Sequence, residues 1–181
     1  MIRIVTLERF DDEDIALLSR TLFQAFGLGT EHAGERTLPA EAERDDGRYD
    51  AVKLVEEISP VRTFADDKVL YLTSETLALK DGPLGEPPCW TYAQYGGEKA
   101  VVSTSRFPPR GVSEASVEAW RKRLARECIH AVGHLWDLHH CYDARCAMHP
   151  SWSPSLPASP EAELCSFDRD KSERRIRLAK T

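Results

Sequence analysis

The sequence predicts an α/β domain built on a largely parallel sheet, and three observations carry that expectation. Its opening elements alternate strand, helix, strand, helix, strand; a hairpin follows; and a long helix with one apolar side comes after the hairpin. With 181 residues, 41% hydrophobic and 30% charged, the chain is long enough to bury a core without disulfides and is expected to form a single domain over 1–181.

Residues 1–7 hold Ile2, Ile4 and Val5 and read as a first strand. Ile15, Leu18, Phe23 and Phe26 recur at helical spacing across 11–26, and Gly27 and Gly29 stop that helix. Residues 31–46 are polar and leave room for a short strand near 36–38 within a mobile loop. Ala51, Leu54, Val55 and Ile58 predict a helix over 49–58, ended by Pro60, and β-branched and aromatic residues predict a strand over 68–73. Glycine and proline mark a connection over 77–88. Two strand-like runs, 90–95 and 100–105, are joined by Gly96, Gly97, Glu98 and Lys99 as a hairpin. Ser113 is a good helix cap, and Leu124, Ile129 and Leu135 stripe a long helix reaching Leu138. Residues 161–178 are expected to close the chain as a short charged helix.

The net charge of −6 argues against a phosphate-tracking surface, so no nucleic-acid partner is expected. The basic residues Arg174, Arg175, Arg177 and Lys180 read as a solvated helix face. No run is long and apolar enough for a membrane span, and the first residues lack a signal-peptide pattern, so a cytoplasmic protein with no membrane partner is expected. Four of the five cysteines, Cys128, Cys141, Cys146 and Cys165, crowd into a stretch rich in histidine, which in such a protein points to metal rather than disulfides.

Of six histidines, four lie within positions 130–140. His130 and His134 are one helical turn apart and can aim at one ion. His140 is too far along for the same straight helix, so the chain must turn sharply, and Asp137 stands where a left-handed backbone is needed. His139 competes as a ligand but should point away as the immediate neighbour of His140. Three imidazoles with a fourth position open is a catalytic zinc arrangement. The bland alternative, unrelated surface or core histidines, fits one such residue better than three at this spacing.

The run from His130 through His134, His140, Cys141 and Cys146 to Met148 resembles the archaemetzincin family of zinc metalloproteases. That family's pattern is H-E-x-x-H-x-x-G-x-x-H-C, four residues, C-x-M and a further C-x-x-C. The resemblance covers roughly the last two-thirds of the chain and is weaker over 68–107. It implies a metzincin-like twisted mixed sheet with packed helices, an active-site helix near 113–138, and a zinc-stapled C-terminal part over 139–181. It further implies zinc on His130, His134 and His140, a Met-turn at Met148, a second zinc on Cys141, Cys146 and Cys165, and a peptide or protein as substrate or ligand.

Three departures from the pattern matter. Ala131 stands where the family has the glutamate that moves the proton during hydrolysis, so the sequence implies a metallopeptidase scaffold impaired in catalysis. A non-catalytic peptide-binding zinc module, or an introduced Glu→Ala change in an active protease, are the alternatives. Glu127, one turn earlier, is a weak substitute base. Asp137 replaces the family's glycine, and Asp168 replaces the last cysteine, where its carboxylate could complete the second zinc site, with His149 as the other candidate. Cys128 and Cys89 read as core residues.

Overall fold

The first strand, β1 (Ile2–Thr6), is buried along its whole length because it becomes the middle of a sheet, flanked by a parallel strand on each side. Parallel strands need crossovers, and the helices that make them cover both faces. The computed structural model describes residues 1–59, 61, 63–64, 66–79, 88–107, 113–150 and 162–179.

Helix α1 (Asp12–Phe26) follows β1 and carries three acids in its first turn, where the helix dipole favours them. It ends at Gly27, whose φ of 64° is left-handed and whose N–H donates to the Phe23 carbonyl. Strand β2 (Thr30–Glu35) pairs with β1 in parallel at the sheet edge. The expected strand near 36–38 is therefore displaced toward the N-terminus. Its sequence, TEHAGE, shows no apolar alternation because an edge strand with no fully buried side chain does not need any. Next come β3 (Tyr49–Asp50) and α2 (Ala51–Glu57), capped by the Asp50 carboxylate, which accepts from the N–H groups of Val52 and Lys53. Pro60 lies outside the described residues.

Strand β4 (Lys68–Thr73) pairs with β1, and β5 (Leu77–Ala78) and β6 (Pro88–Cys89) join β3 in a small second sheet that sequence periodicity did not announce. Two-residue strands are too short to show a period. The expected hairpin is present as β7 (Thr91–Ala93) and β8 (Lys99–Ser103). Strand β8 runs parallel to β4 while β7 is antiparallel, giving a mixed sheet of order β2-β1-β4-β8-β7.

Period-two alternation divides the core. Ile2, Ile4, Leu70, Leu72, Ala100 and Val102 face α1 and the long helix α3 (Glu114–Leu135), whereas Val5, Val69, Tyr71 and Val101 face α2. Ser113 caps α3 as expected, accepting from the Ser116 N–H. The first turns of α3 are charged and partly exposed, but everything from Leu124 to Leu135 is buried. Helix α4 (Ser166–Ala179) closes the described chain. It begins later than expected because the preceding residues are extended: Glu163 bridges to Cys146, and the Ala147 N–H donates to the Glu163 carbonyl. Residues 151–161 and Lys180 lie outside the described residues. Among the described residues no helix is long and apolar enough to cross a membrane.

Candidate metal centres

Helix α3 ends at Leu135, three residues before the expected stop, and the ending builds the first centre. The Leu138 N–H donates to the Gly133 carbonyl and the Asp137 N–H to the His134 carbonyl, which is a Schellman cap. Such a cap needs a left-handed residue at its bend, and Asp137 supplies it with φ of 59°. The chain then reverses and delivers His140 to the face already carrying His130 and His134. Each of these three offers a ring nitrogen, all within 4.8 Å of one another. His139 is not part of the cluster; its ring lies 5.2 Å from that of Tyr95.

Two of the rings are anchored from behind. His130 Nδ1 lies 2.9 Å from the Ala147 carbonyl and His134 Nδ1 lies 2.8 Å from the Leu138 carbonyl. A carbonyl only accepts, so both Nδ1 atoms carry the proton and both Nε2 atoms present lone pairs, 2.9 Å apart. Two lone pairs aimed at one point suit a shared cation. Tetrahedral zinc, with bonds of about 2.0–2.1 Å, would hold them about 3.3 Å apart, a shift of a few tenths of an ångström. Burial, with His134 nearby, holds His130 down to about 3 despite the opposing Ala147 hydrogen bond, and burial holds His134 down to about 4. His140 is lowered too, by burial and by His139 and His149. All three are neutral at neutral pH, the form a metal requires.

The second cluster gathers Cys141, Cys146, Cys165 and Asp168, again with ligand atoms within 4.8 Å of one another. Asp168 Oδ2 lies 3.2 Å from Cys146 Sγ and 3.4 Å from Cys165 Sγ, and Cys141 Sγ is 3.9 Å from Cys165 Sγ. With zinc–sulfur bonds of about 2.3 Å, tetrahedral geometry asks for roughly 3.8 Å between sulfurs. The Met148 and Cys165 N–H groups point at Cys146 Sγ, and the Asp168 N–H at Cys165 Sγ, as donors that would stabilise thiolates. Burial raises both Cys141 and Cys146, so without a cation these thiols stay protonated. Asp168, not His149, completes this group.

Met148 is fully buried against α3, and Gly133 makes the room: a Cβ there would sit 2.3 Å from Met148 Sδ. Ala131 is wholly buried and carries no protonatable group. Glu127 is buried one turn before it and belongs to neither cluster. Cys128 is fully buried in the core, with burial and Glu127 raising its thiol. Cys89 packs against the α2-side core, and burial pushes it up to about 12.

Four contributors escaped the sequence reading. Arg126 is buried and donates to the Cys146 carbonyl at 3.2 Å, holding the loop that carries Met148. Its signal was its place on the stripe of His130 and His134, at steps of four. Tyr95 covers His134 with ring centroids 4.7 Å apart, and the neighbouring Gly96 N–H donates to the His134 carbonyl. Arg175 was read as part of a solvated face; instead it pairs with Asp137, while Lys171 donates to the Asp137 carbonyl at 2.9 Å.

A twisted mixed sheet, four α-helices among the described residues and this C-terminal cluster of cysteine and histidine make the fold that of the archaemetzincin structures. The crystal structure of archaemetzincin from Methanopyrus kandleri superposes with a TM-score of 0.81 over 97% of this chain and 94% of that one, at 22% identity. A zinc-dependent peptidase from Methanocorpusculum labreanum gives 0.77 over 95% and 100%, at 18% identity. In sequence, the archaemetzincin of Haloarcula marismortui is 35% identical over 77 residues, 40% of this chain and 44% of that relative. The M. kandleri archaemetzincin is 36% identical over 90 residues, 50% of this chain and 45% of that relative. The sequence matches thus span less than half the length of the curated relatives. No family model matches the chain.

Proposed function

We propose that this chain is an archaemetzincin-type zinc metallopeptidase scaffold, with one zinc on His130, His134 and His140, a second on Cys141, Cys146, Cys165 and Asp168, and a hydrolytic step impaired by Ala131. The observation that carries it is the convergence of three neutral imidazoles, two anchored through Nδ1 so that their Nε2 lone pairs meet. Zinc at such a site supplies Lewis acidity toward a peptide carbonyl. Turnover also needs a group that takes a proton and returns it to the leaving amine, and the Ala131 methyl can do neither. Glu127 starts a full turn away, a rise of about 5.4 Å, which is long against hydrogen-bond reach.

Strand β7 is the sheet edge beside the histidines, and its flank is suited to take an extended peptide as an added strand. The chain therefore binds peptides next to the metal and releases them largely uncut. The test combines elemental analysis of the full-length protein with a peptidase assay of Ala131→Glu. The expected outcome is zinc in the purified protein and about 10²–10⁴-fold more hydrolysis in the variant. Purified protein free of transition metal, or unaltered protein that cleaves as fast as Ala131→Glu, would overturn the reading.

A further inference from the structure

Asp137 is bound from two sides by one helix. Its carbonyl accepts from Lys171 Nζ at 2.9 Å and its carboxylate pairs with Arg175. Lys171 and Arg175 are four apart on α4, hence on one stripe, and Asp168 lies on the same stripe three residues earlier. One side of α4 thus touches both clusters: Asp168 among the sulfurs, Lys171 and Arg175 on the bend that carries His140 to the imidazoles. The bend matters doubly, because Leu138, next to Asp137, supplies the carbonyl that orients His134.

We infer that Lys171 and Arg175 are positioning residues for the histidine centre, clamping the Asp137 bend so that His140 meets His130 and His134, and that α4 passes the filling of the sulfur cluster on to that centre. This rests on the reading that the three histidines hold a metal ion. Each contact alone is modest, since the Arg175–Asp137 pair is partly exposed at 47% and 35%. Both nevertheless fall on the residue whose left-handed backbone is the hinge of the turn. A free bend would let His140, which unlike the other two has an exposed side chain, sample orientations that cannot ligate. With α4 seated by metal among the sulfurs, the clamp removes that freedom before metal reaches the histidines. Because α4 starts beside Cys165 and contains Asp168, a metal among the sulfurs fixes the base of the same helix.

The experiment titrates metal-stripped, full-length protein with cobalt(II). The sulfur cluster reports through thiolate-to-cobalt charge transfer in the near ultraviolet and the histidine centre through its weaker visible bands. In Lys171→Met/Arg175→Ala the histidine centre should bind cobalt about 10–100-fold more weakly, as when partners that orient ligands are lost, with the charge-transfer signal retained. Arg175→Lys should recover most of the affinity lost in Arg175→Ala. Cys165→Ser should also weaken the histidine centre, and by less once the clamp is cut, which is the non-additivity of a shared path. Equal histidine-centre affinity, within twofold, in the double variant overturns the inference while leaving the metal site standing. If the double variant fails to fold, Lys171→Met/Asp137→Asn decides: it keeps a residue tolerant of the bend but removes both the ion pair and the contact to the bend carbonyl, and unchanged affinity there overturns the inference as well. No metal at the histidines of the unaltered protein overturns the parent reading, and this inference with it.

Discussion

The two clusters sit on either side of one loop, yet they are prepared for a cation in opposite ways. The histidine centre is pre-formed by a helix and its cap: two imidazoles are tied to the Ala147 and Leu138 carbonyls, and all three are neutral through burial. The sulfur cluster joins two chain segments far apart in sequence, Cys141 and Cys146 with Cys165 and Asp168, and its buried thiols are held protonated. A metal entering the first meets imidazoles that are already neutral. Entering the second, it expels protons and closes a loop between the segments. The first centre is thus suited to chemistry and the second to holding the C-terminal part in place.

The largest expected effect tests that contrast through stability. Metal removal by a chelator, or Cys146→Ala, should release residues 139–150 and α4 from the rest of the fold, seen as rapid amide exchange there, with β1, β4 and β8 still protected. Uniform exchange across both parts would dissolve the distinction. His130→Ala comes next. It should remove one metal equivalent and leave the sulfur cluster loaded, while the Ala147 carbonyl loses its partner at a cost of about 1–3 kcal/mol in chemical denaturation. Loss of both equivalents would mean the clusters are one cooperative unit.

Proton release distinguishes them more finely. Because the thiols are raised above their usual value, loading the sulfur cluster at neutral pH should liberate protons, and its metal affinity should fall steadily as pH drops from about 8 to 6. His130 and His134, held down to about 3 and about 4, stay neutral over that interval and His140 is lowered too, so the histidine centre should lose affinity less steeply than the sulfur cluster. Calorimetric titration in buffers of different ionisation heat reads both slopes. The smallest effect on metal binding is mechanical: Gly133→Ala, pressing on Met148, should cost about 1–3 kcal/mol and disturb the histidine centre more than the sulfur cluster.

Much of this was readable before any coordinates. The apolar, β-branched and aromatic residues of β1 and β4 and the helical spacing in α1 and α3 announced the sheet and its cover, because central elements must be apolar to be buried. Edge strand β2 and the short strands β3, β5 and β6 were hidden: a polar edge and two-residue strands carry no period. Spacing alone also put His130 and His134 one turn apart on α3 and asked for the left-handed backbone found at Asp137, since a helix of known pitch and a tight cap leave little choice. Arg126, Tyr95, Lys171 and Arg175 were missed, because each acts on the centre through a partner distant in sequence.

What the sequence determined by itself is the set of donor atoms and the local geometry of helix and cap, both fixed by covalent spacing over a few residues. The tertiary structure decided which groups meet across long separations. It chose Asp168 over His149 beside the sulfurs, supplied the carbonyls that set the imidazole tautomers, and brought α4 against the Asp137 bend. Those choices depend on packing between segments distant in sequence, and no local spacing encodes them.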